Sequence, residues 1–450
     1  MSTIELLQPF LEKGIHNTHF FNGRLLSAEA LQADQEANRQ QHQLLGRAIG
    51  EGIVYGLEVS AGAISSPPSG TSAPLIKVSA GLALNRLGQA LYLPVNIDIA
   101  LVREKEVLAA GAGLFAACEP PQTTAVLSGT GVYILVLAPA SGFEGKAPVS
   151  GLGGKGTTGD ACGSRYAVEG VQFRLVELNV NSIPGVSPSL RTQLNQLMAN
   201  NDAASFSKLR NLLAYVCFGT EQLGGFFSDP FRREKGKPVY TVYGALDALY
   251  ELKSLGDCDV PLALVYWTTK GVQFIDMWVV RRRLAQRSVT ESWPLLVGSR
   301  RISEAEAMFS QFADHLESIR TNEPNLGSIV AATRFRYLPP VGLLPIAGTG
   351  SPSGFNPQTF FGSHASQDVA MLDGNLLRSL LYAALYHEPI DLNTTDKIQL
   401  YSIWENIQAV KNNQANQLAL VFASPTLAYR GVARFGSAKW DLSRFAPGVR

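Results

Sequence analysis

The stretch NTHFFNGRLLSAEALQADQEANRQQHQLLGRAIGEGIVYGLEV, residues 17–59, decides how the first part of this chain folds. An aromatic segment with a glycine, residues 20–26, leads into residues 28–49, which are strong helix formers throughout. Ser27 is suited to cap this helix at its N-terminus, and Gly50 is suited to end it. The pattern predicts an arm, a long helix and then the start of a β-rich region.

The predicted helix is polar in its middle. Its apolar positions are sparse, and Gln, Asn, Glu and Arg dominate its centre. Such a helix is not expected to form a core element of its own domain. It either lies on a surface or bridges between bodies, and the sequence leaves both arrangements open.

The hydrophobic period changes from helical to alternating after this helix. Short apolar segments separated by turn residues indicate strands. Residues 85–88 (NRLG) predict a hairpin turn in which Gly88 takes a positive φ. Longer strands are expected at residues 131–138 and 166–178. Short strands at close spacing predict a β-sandwich or barrel-like domain over residues 52–186.

The remainder of the chain mixes helices and strands. Residues 187–333 predict an α+β domain with a β-hairpin that turns at residues 269–271. Residues 334–450 predict a mixed α/β C-terminal region that begins with a proline-rich extended segment. Together with the arm and connector helix, residues 1–51, these segments predict an α+β protein of four parts.

Composition narrows the function classes. Hydrophobic residues make up 46% of the 450-residue chain and charged residues only 17%, below the roughly 25% of a typical soluble chain. Low charge fits a protein that buries surface against partners, and it equally fits a Gly/Ala/Ser-rich bacterial protein. The net charge of +1 provides no global attraction to nucleic acid or anionic membrane. The arginine run 281–283 is expected to be a solvated face or a salt-bridged partner contact.

The cysteines and the N-terminus indicate the cellular compartment in which the protein is expected to fold. No two of the four cysteines form a CxxC pair, so buried free thiols are expected. The N-terminus lacks the pattern of a signal peptide. No apolar run approaches the roughly 20 residues that cross a bilayer. We expect synthesis and folding in the cytoplasm and no membrane span.

Motifs with catalytic or ligand-binding chemistry are weak. Residues 151–156 (GLGGKG) fit GxGxxG but neither follow a strand nor precede a helix, and they lack the Ser or Thr of a phosphate-binding loop. His16 and His19 have no acidic or cysteine partners nearby for a metal site. We predict a protein that is not an enzyme, with no catalytic residue, cofactor or metal. A hydrolase whose triad is assembled in space stays open.

Aromatic residues in Gly- or Pro-rich contexts are the candidate binding residues, because rigid aromatic side chains serve well as docking anchors. Their alternative role is to fill small cores at domain junctions. With two neighbours of the N-terminal segment added, the predicted partner-binding residues are Phe20, Phe21, Arg24, Leu31, Tyr55, Tyr337 and Phe360.

Five segments carry a resemblance to a known family: FFNGRLL at residues 20–26, GIVYGLEV at 52–59, VSAGLALNRLGQA at 78–90, residues 165–178, and residues 336–345, which contain LPPVGLLP. Members of that family carry a YFNGQLL-like hook, a charged helix, a GWGVVCGLEV-like segment and a PGxALDxxGR-like turn. They are encoded with phage-tail-like contractile injection systems and resemble accessory structural components of those particles.

This chain departs from the family pattern at three places. Tyr55 stands where the family has Cys, Ala80 stands where it has Pro, and the aromatic residue of the GWGVVCGLEV-like segment is missing around Gly52. These changes leave the expected fold intact. They do not identify a subgroup of the family, and so they do not assign a position in the particle.

The resemblance implies a structural subunit at or around the baseplate. We expect its partners to be other subunits of the particle, with several copies in a ring or shell as a homo-oligomer, and no nucleic acid. The chain would be cytoplasmic at synthesis, then part of an assembled particle that can reach the extracellular space. The alternative is a surface or glycan-binding accessory module that uses residues 141–164, whose Gly, Thr and Ser content is typical of a long surface loop.

Overall fold

The fold is α+β, as predicted, with helices and antiparallel sheets in comparable amounts. The computed structural model describes residues 15–23, 27–62, 75–101, 131–148, 162–184, 186–220, 244–268, 270–285, 299–346, 354–372, 374–385, 387–403, 419–425 and 427.

The long polar helix forms as predicted, as α1 (Ala28–Ile49). The Ser27 hydroxyl accepts a hydrogen bond from the Ala30 amide at 3.2 Å, which satisfies one of the amides left open at a helix start. Glu29 in the first turn and Arg47 in the last both complement the helix dipole. The helix ends at Gly50, whose φ is +125°.

Six short strands follow and form two three-stranded antiparallel sheets. Their bounds are β1 (Gly52–Gly56), β2 (Val59–Gly62), β3 (Leu75–Val78), β4 (Gly81–Leu84), β5 (Ala90–Leu93) and β6 (Ile97–Ala100). The sheets have the orders β1-β4-β5 and β2-β3-β6. The predicted hairpin turn joins β4 to β5, and Gly88 has the expected positive φ, +77°. Oδ1 of Asn85 holds this turn by accepting from the amides of Leu87 and Gln89 at 3.1 and 2.9 Å.

A four-stranded antiparallel sheet divides the middle of the molecule. It contains β7 (Gly131–Pro148), β8 (Cys162–Glu177), β9 (Val260–Thr268) and β10 (Gly271–Asp276) in the order β10-β9-β7-β8. The sheet therefore crosses the domain boundary expected at residue 186, because strands from both sides of that boundary pair with one another. The predicted hairpin around residue 270 is confirmed as β9–β10.

The two faces of this sheet belong to two cores, as the side-chain alternation of a strand requires. Along β7, Val132, Ile134 and Val136 face one core. Leu135 and Leu137 face the other core, which the strands of the two small sheets complete. The β-rich region expected over residues 52–186 is thus a layered arrangement of three sheets, and its last layer borrows β9 and β10.

The outer parts of β7 and β8 correct the interpretation of residues 141–164 as a loop. The register between the two strands continues from Tyr133 opposite Glu177 to Pro148 opposite Cys162. The strand β9 pairs with β7 only as far as Leu137. Beyond that point β7 and β8 form a two-stranded ribbon, defined here as residues 141–148 and 162–170. Residues 149–161, with the GxGxxG match, lie outside the described part of the chain.

Helices cover the first face of the large sheet. They are α2 (Pro188–Ala199), α3 (Ala203–Cys217), α4 (Gly244–Glu251) and α5 (Ser299–Asn322). Helix α3 is almost entirely buried, since eleven of its 15 residues, apolar and polar alike, are inside the protein. Helix α3, and not α1, is therefore the helix around which residues 187–333 pack.

A buried polar network joins α3, β10 and α5. Nε of Arg210 donates to Oδ2 of Asp276 at 2.6 Å, and Gln311 donates to the same oxygen at 2.9 Å. Oδ1 of Asp276 accepts from the amides of Trp278 and Val279. The Asp276 side chain is fully buried and Arg210 is 5% exposed, so this charge pair is shielded from solvent and well satisfied.

The C-terminal region is mixed, as expected. Its described elements are α6 (Ala331–Arg334), β11 (Tyr337–Leu338), β12 (Val341–Pro345), α7 (Pro357–Phe361), β13 (Ala365–Leu372), α8 (Gly374–Ala384), β14 (Ile390–Asp391), β15 (Ile398–Ile403) and β16 (Ala419–Ala423). The sheet order is β12-β16-β15-β13, and only β13 and β15 are parallel among these neighbours. Gly342 is required here because a Cβ would lie 2.4 Å from the Phe422 ring.

The two cysteines whose state the structure defines behave differently. Cys217 is a buried free thiol, as expected, and burial raises its pKa to about 12. Cys258 is disulfide-bonded, so the expectation of free thiols is wrong for this residue.

Candidate docking site

The arm before α1 presents aromatic side chains to solvent. Phe20 is 53% exposed and Phe21 is 60% exposed. The Phe21 ring lies 5.9 Å from the His19 ring, measured between centroids. The Thr18 hydroxyl donates to the Ala30 carbonyl at 2.8 Å and ties the arm to the first turn of the helix. Arg24, also predicted to contact a partner, lies outside the described residues.

Two glycines let the C-terminal end of α1 approach the β4–β5 turn. A Cβ on Gly46 would lie 2.1 Å from the Gly88 carbonyl oxygen, and one on Gly88 would lie 2.0 Å from the Gln43 carbonyl oxygen. Real Cβ atoms do not tolerate such distances, so both positions need glycine. Nε of Arg47 adds a hydrogen bond to the Leu87 carbonyl at 3.2 Å. Of the two arrangements that the sequence left open, α1 therefore lies on the surface of its own β-rich region at this end.

The outward face of α1 is apolar at several positions. Four side chains on it are exposed by half or more: Leu31 by 50%, Leu44 by 53%, Leu45 by 63% and Ile49 by 58%. Leu45 and Ile49 lie one turn apart and are neighbours on the last two turns, and Leu44 is exposed on the same turn as Leu45. Large apolar side chains that cluster on a solvent face commonly mark an interaction surface.

The adjoining sheet continues this apolar character. Tyr55 of β1 lies opposite Leu82 of β4, which lies opposite Tyr92 of β5, so the three share one face of the sheet. Tyr55 is 54% exposed and Tyr92 is 55% exposed. We call the arm aromatics, the outward face of α1 and these tyrosines the docking surface. This name covers Phe20, Phe21, Leu31 and Tyr55 of the predicted set, which are all exposed, and adds Tyr92, which the strand register places on the same sheet face as Tyr55.

The step from β1 to β2 is held by an arginine that the sequence suggested would be exposed. Gly56 and Leu57 both have positive φ, +62° and +55°, and Leu57 is strained there because left-handed conformations cost a branched side chain energy. Nη1 of Arg281 donates to the Leu57 carbonyl at 2.7 Å, and Nη2 donates to the Gly56 carbonyl at 2.5 Å. Arg281 is 9% exposed. The arginine run is therefore partly structural.

The other two arginines of the run differ from Arg281. Arg282 donates to three backbone carbonyls, those of Trp278, Val279 and Arg281. Arg283 is 61% exposed and forms an ion pair with Glu306 at 2.8 Å. Only Arg283 matches the expected solvated face.

Arg86 also supports the start of β1, through an ion pair and a contact with an aromatic ring. Nε of Arg86 lies 2.9 Å from Oε2 of Glu51, and its guanidinium lies 3.2 Å from the centroid of the Tyr250 ring. Burial raises the pKa of Tyr250, so its hydroxyl stays neutral beside the cation. This contact anchors the residue after the helix end to the central helices.

Tyr337 and Phe360 do not belong to the docking surface. Tyr337 is 5% exposed, and its ring lies 5.0 Å from that of Tyr215. Phe360 is 1% exposed within an aromatic cluster that includes Phe335, Phe355 and Phe361. These two residues fill cores at segment junctions, which was the alternative role for the aromatic set, and they offer a partner no surface.

One buried pair has the residue types of a nucleophile and base. The Ser207 hydroxyl lies 2.7 Å from Nε2 of His315. Nδ1 of His315 has no hydrogen-bond partner among the described residues, and the buried carboxylate of Asp276 accepts from Arg210 and Gln311 instead. Burial, and the charges of Arg210 and Arg334, hold the pKa of His315 well below its usual range. Without an orienting carboxylate or access to solvent, the pair has the geometry of a core hydrogen bond.

No group of three or more His, Cys, Asp or Glu side chains in the described ranges is placed to hold a metal ion. Within those same ranges, no helix combines the length and apolarity needed to cross a bilayer.

Comparison of the chain with models of protein families finds no match, and comparison with curated proteins finds none either.

Proposed function

We propose that this chain is a non-enzymatic structural subunit of a contractile injection system, at or around the baseplate, which acts as a scaffold through protein–protein contacts. The observation that carries the proposal is the docking surface. It places exposed aromatic and aliphatic side chains on an arm and a helix that are fixed to the folded body. The sequence resemblance of residues 20–26, 52–59 and 78–90 supports the kind of particle.

The attachment of α1 suits a scaffold. The Gly46–Gly88 contact, the Arg47 hydrogen bond and the Arg39–Glu169 ion pair hold the helix in one orientation before any partner arrives. A partner that packs on a helix already held in place loses less conformational entropy than one that must order it. Phe20 and Phe21 would then act as aromatic anchors, the residue type that dominates the energetics of interfaces.

In this proposal the partners are other subunits of the particle, with several copies of this chain in a ring or shell. The protein would be made in the cytoplasm and then carried in the assembled particle. The glycan-binding alternative depended on residues 141–164 forming a loop. The described part of that stretch is a β-ribbon, and no observation favours a glycan site there.

The test compares exposed aromatics on and off the docking surface. Phe20→Ser with Phe21→Ser should abolish incorporation into purified particles, measured by mass spectrometry or immunoblot, while the soluble yield stays unchanged. Tyr382→Ser is the matched control, since Tyr382 on α8 is 65% exposed and lies outside the docking surface. Normal incorporation of the double variant would refute the proposal, as would an equal loss in the control.

A further inference from the structure

The ribbon of residues 141–148 and 162–170 presents an accessible strand edge. Every residue from Ser164 to Gly170 is exposed, and Tyr166 and Val168 are 54% and 43% exposed. Strand β8 is the last strand of its sheet, so one side of it has no strand neighbour among the described residues. A ribbon of two strands is marginally stable on its own in water.

The two edges of the ribbon differ in a way that selects one of them. The β7 edge carries Pro139 and Pro148, which have no amide to donate, and Gly145, whose φ of +69° interrupts the ladder between residues 144 and 146. Prolines and local irregularities of this kind protect a strand edge from pairing. The β8 edge contains no proline between Cys162 and Glu177. It is therefore competent to accept another strand.

We propose that this β8 edge pairs, antiparallel, with the same segment of a second copy of this chain, about a two-fold axis at Ala167. In that register residue 165 lies opposite residue 169 of the other copy, and residue 166 lies opposite residue 168. The two copies would form one four-stranded sheet across the interface. A contact of this kind is isologous, so each favourable pair occurs twice.

In this register the side chains of one β8 strand are complementary to those of the same strand in the second copy. Arg165 of one copy faces Glu169 of the other, and Tyr166 faces Val168. Opposite charges and aromatic–β-branched pairs are among the favourable cross-strand pairs of antiparallel sheets. Shifting the register by two residues in either direction would place uncharged residues opposite both charges. Charge complementarity therefore selects both the second copy as the occupant and Ala167 as the centre.

Glu169 already contacts Arg39 of its own chain. A carboxylate can accept from two cations, so the contact between copies adds to the intramolecular one. This contact between copies goes beyond the proposed function and does not depend on it, because it should form in the purified protein without any other subunit.

Cross-linking tests the geometry directly. At the centre of the register the two Ala167 Cα atoms would be about 4.5–5.5 Å apart, within the range of about 4.4–6.8 Å that a disulfide bridges. Ala167→Cys should therefore give a covalent dimer under mild oxidation, above the wild-type background from the native cysteines. Phe143→Cys is the matched control. Phe143 is 72% exposed and pairs with Ala167 within the ribbon, but the two copies of it would be about three strand spacings, roughly 14 Å, apart.

Charge reversal tests the register. In an Arg39→Ala background, which removes the intramolecular contact, Arg165→Glu alone and Glu169→Arg alone should each weaken dimerisation on the order of tenfold by sedimentation. The double reversal should restore it. A monomeric Ala167→Cys protein, equal cross-linking of the Phe143→Cys control, or failure of the double reversal to restore the dimer would each overturn the proposal.

Discussion

Two arginine–carboxylate pairs show how differently the centre and the N-terminal part of this molecule are held. Arg210 and Asp276 are 5% and 0% exposed, and further donors satisfy the carboxylate. Arg39 and Glu169 are 22% and 55% exposed, and they tie α1 to the ribbon. Breaking a buried pair leaves a desolvated charge, whereas breaking an exposed pair costs little. The same chemistry therefore fixes the core and only positions the docking surface.

The largest loss of stability is expected when the buried Arg210–Asp276 pair is broken. Asp276→Ala should lower the free energy of unfolding by about 3–5 kcal/mol, because the buried Arg210 then keeps only the 45% exposed Asp314 as a partner. The Gln311 amide and two backbone amides also lose their acceptor. Arg39→Ala should lower it by at most about 1 kcal/mol. Urea unfolding with a fixed m-value measures both. Similar losses for the two variants would contradict the distinction.

The attachment of α1 should be sensitive to a single methyl group. Gly46→Ala raises helix propensity by about 1 kcal/mol, but its Cβ would meet the Gly88 carbonyl, and such overpacking costs about 1–3 kcal/mol. We expect amide exchange in α1 to accelerate roughly tenfold while α3 is unaffected. Ala48→Gly on the exposed face, which lowers propensity without a clash, is the control. Slower exchange in α1 of Gly46→Ala would show that the close contact is not limiting.

The pH dependence should come from the centre and not from the docking surface. His315 is held neutral in the folded state, with its pKa well below 6.5, whereas the unfolded chain takes up a proton near 6.5. The unfolded state therefore binds more protons below that pH, and stability should fall as the pH drops from 7.5 to 5.5, by up to about 1.4 kcal/mol per unit.

The control for this pH effect is His315→Gln, which should flatten the slope in urea unfolding. His387, whose pKa burial also lowers, contributes with the same sign and remains in the variant. Asp314 acts with the opposite sign, since burial raises its pKa. An unchanged slope in His315→Gln would assign the effect to His387.

The smallest effect on stability is expected from the arm. Phe20→Ala and Phe21→Ala should change the free energy of unfolding by no more than about 0.5 kcal/mol, because both rings face solvent. Thermal and urea unfolding would check this. A loss above about 1 kcal/mol would mean that the two rings pack against the folded body. The arm would then contribute to stability as the buried centre does.

The sequence predicts those parts of the fold that depend on local signals. Ser27, Gly50 and Gly88 predict the ends of α1 and the β4–β5 turn, because capping and positive φ are properties of a few neighbouring residues. The pairing of β7 with β9 could not be predicted. It joins residues more than a hundred positions apart, and strand composition does not identify the partner.

The candidate site was predictable in part, for a similar reason. Phe20, Phe21 and Tyr55 are exposed, but Tyr337 and Phe360 occur in equally Gly- or Pro-rich contexts and are buried. Local context does not reveal which aromatic ring meets another segment. Arg281 shows the converse, since a run of charges predicts solvent exposure and yet its guanidinium is buried against two backbone carbonyls.

The Arg281 contact also sets an order of events during synthesis. It joins Leu57 to a residue 224 positions later, and the Ile53 amide likewise donates to the Arg282 carbonyl. The start of β1 cannot close until this second segment has left the ribosome. At about 5–20 residues per second, the arm and α1 emerge on the order of ten to forty-five seconds before Arg281 has been synthesised. During that interval the nascent chain presents its apolar N-terminal side chains without the body that later orients them.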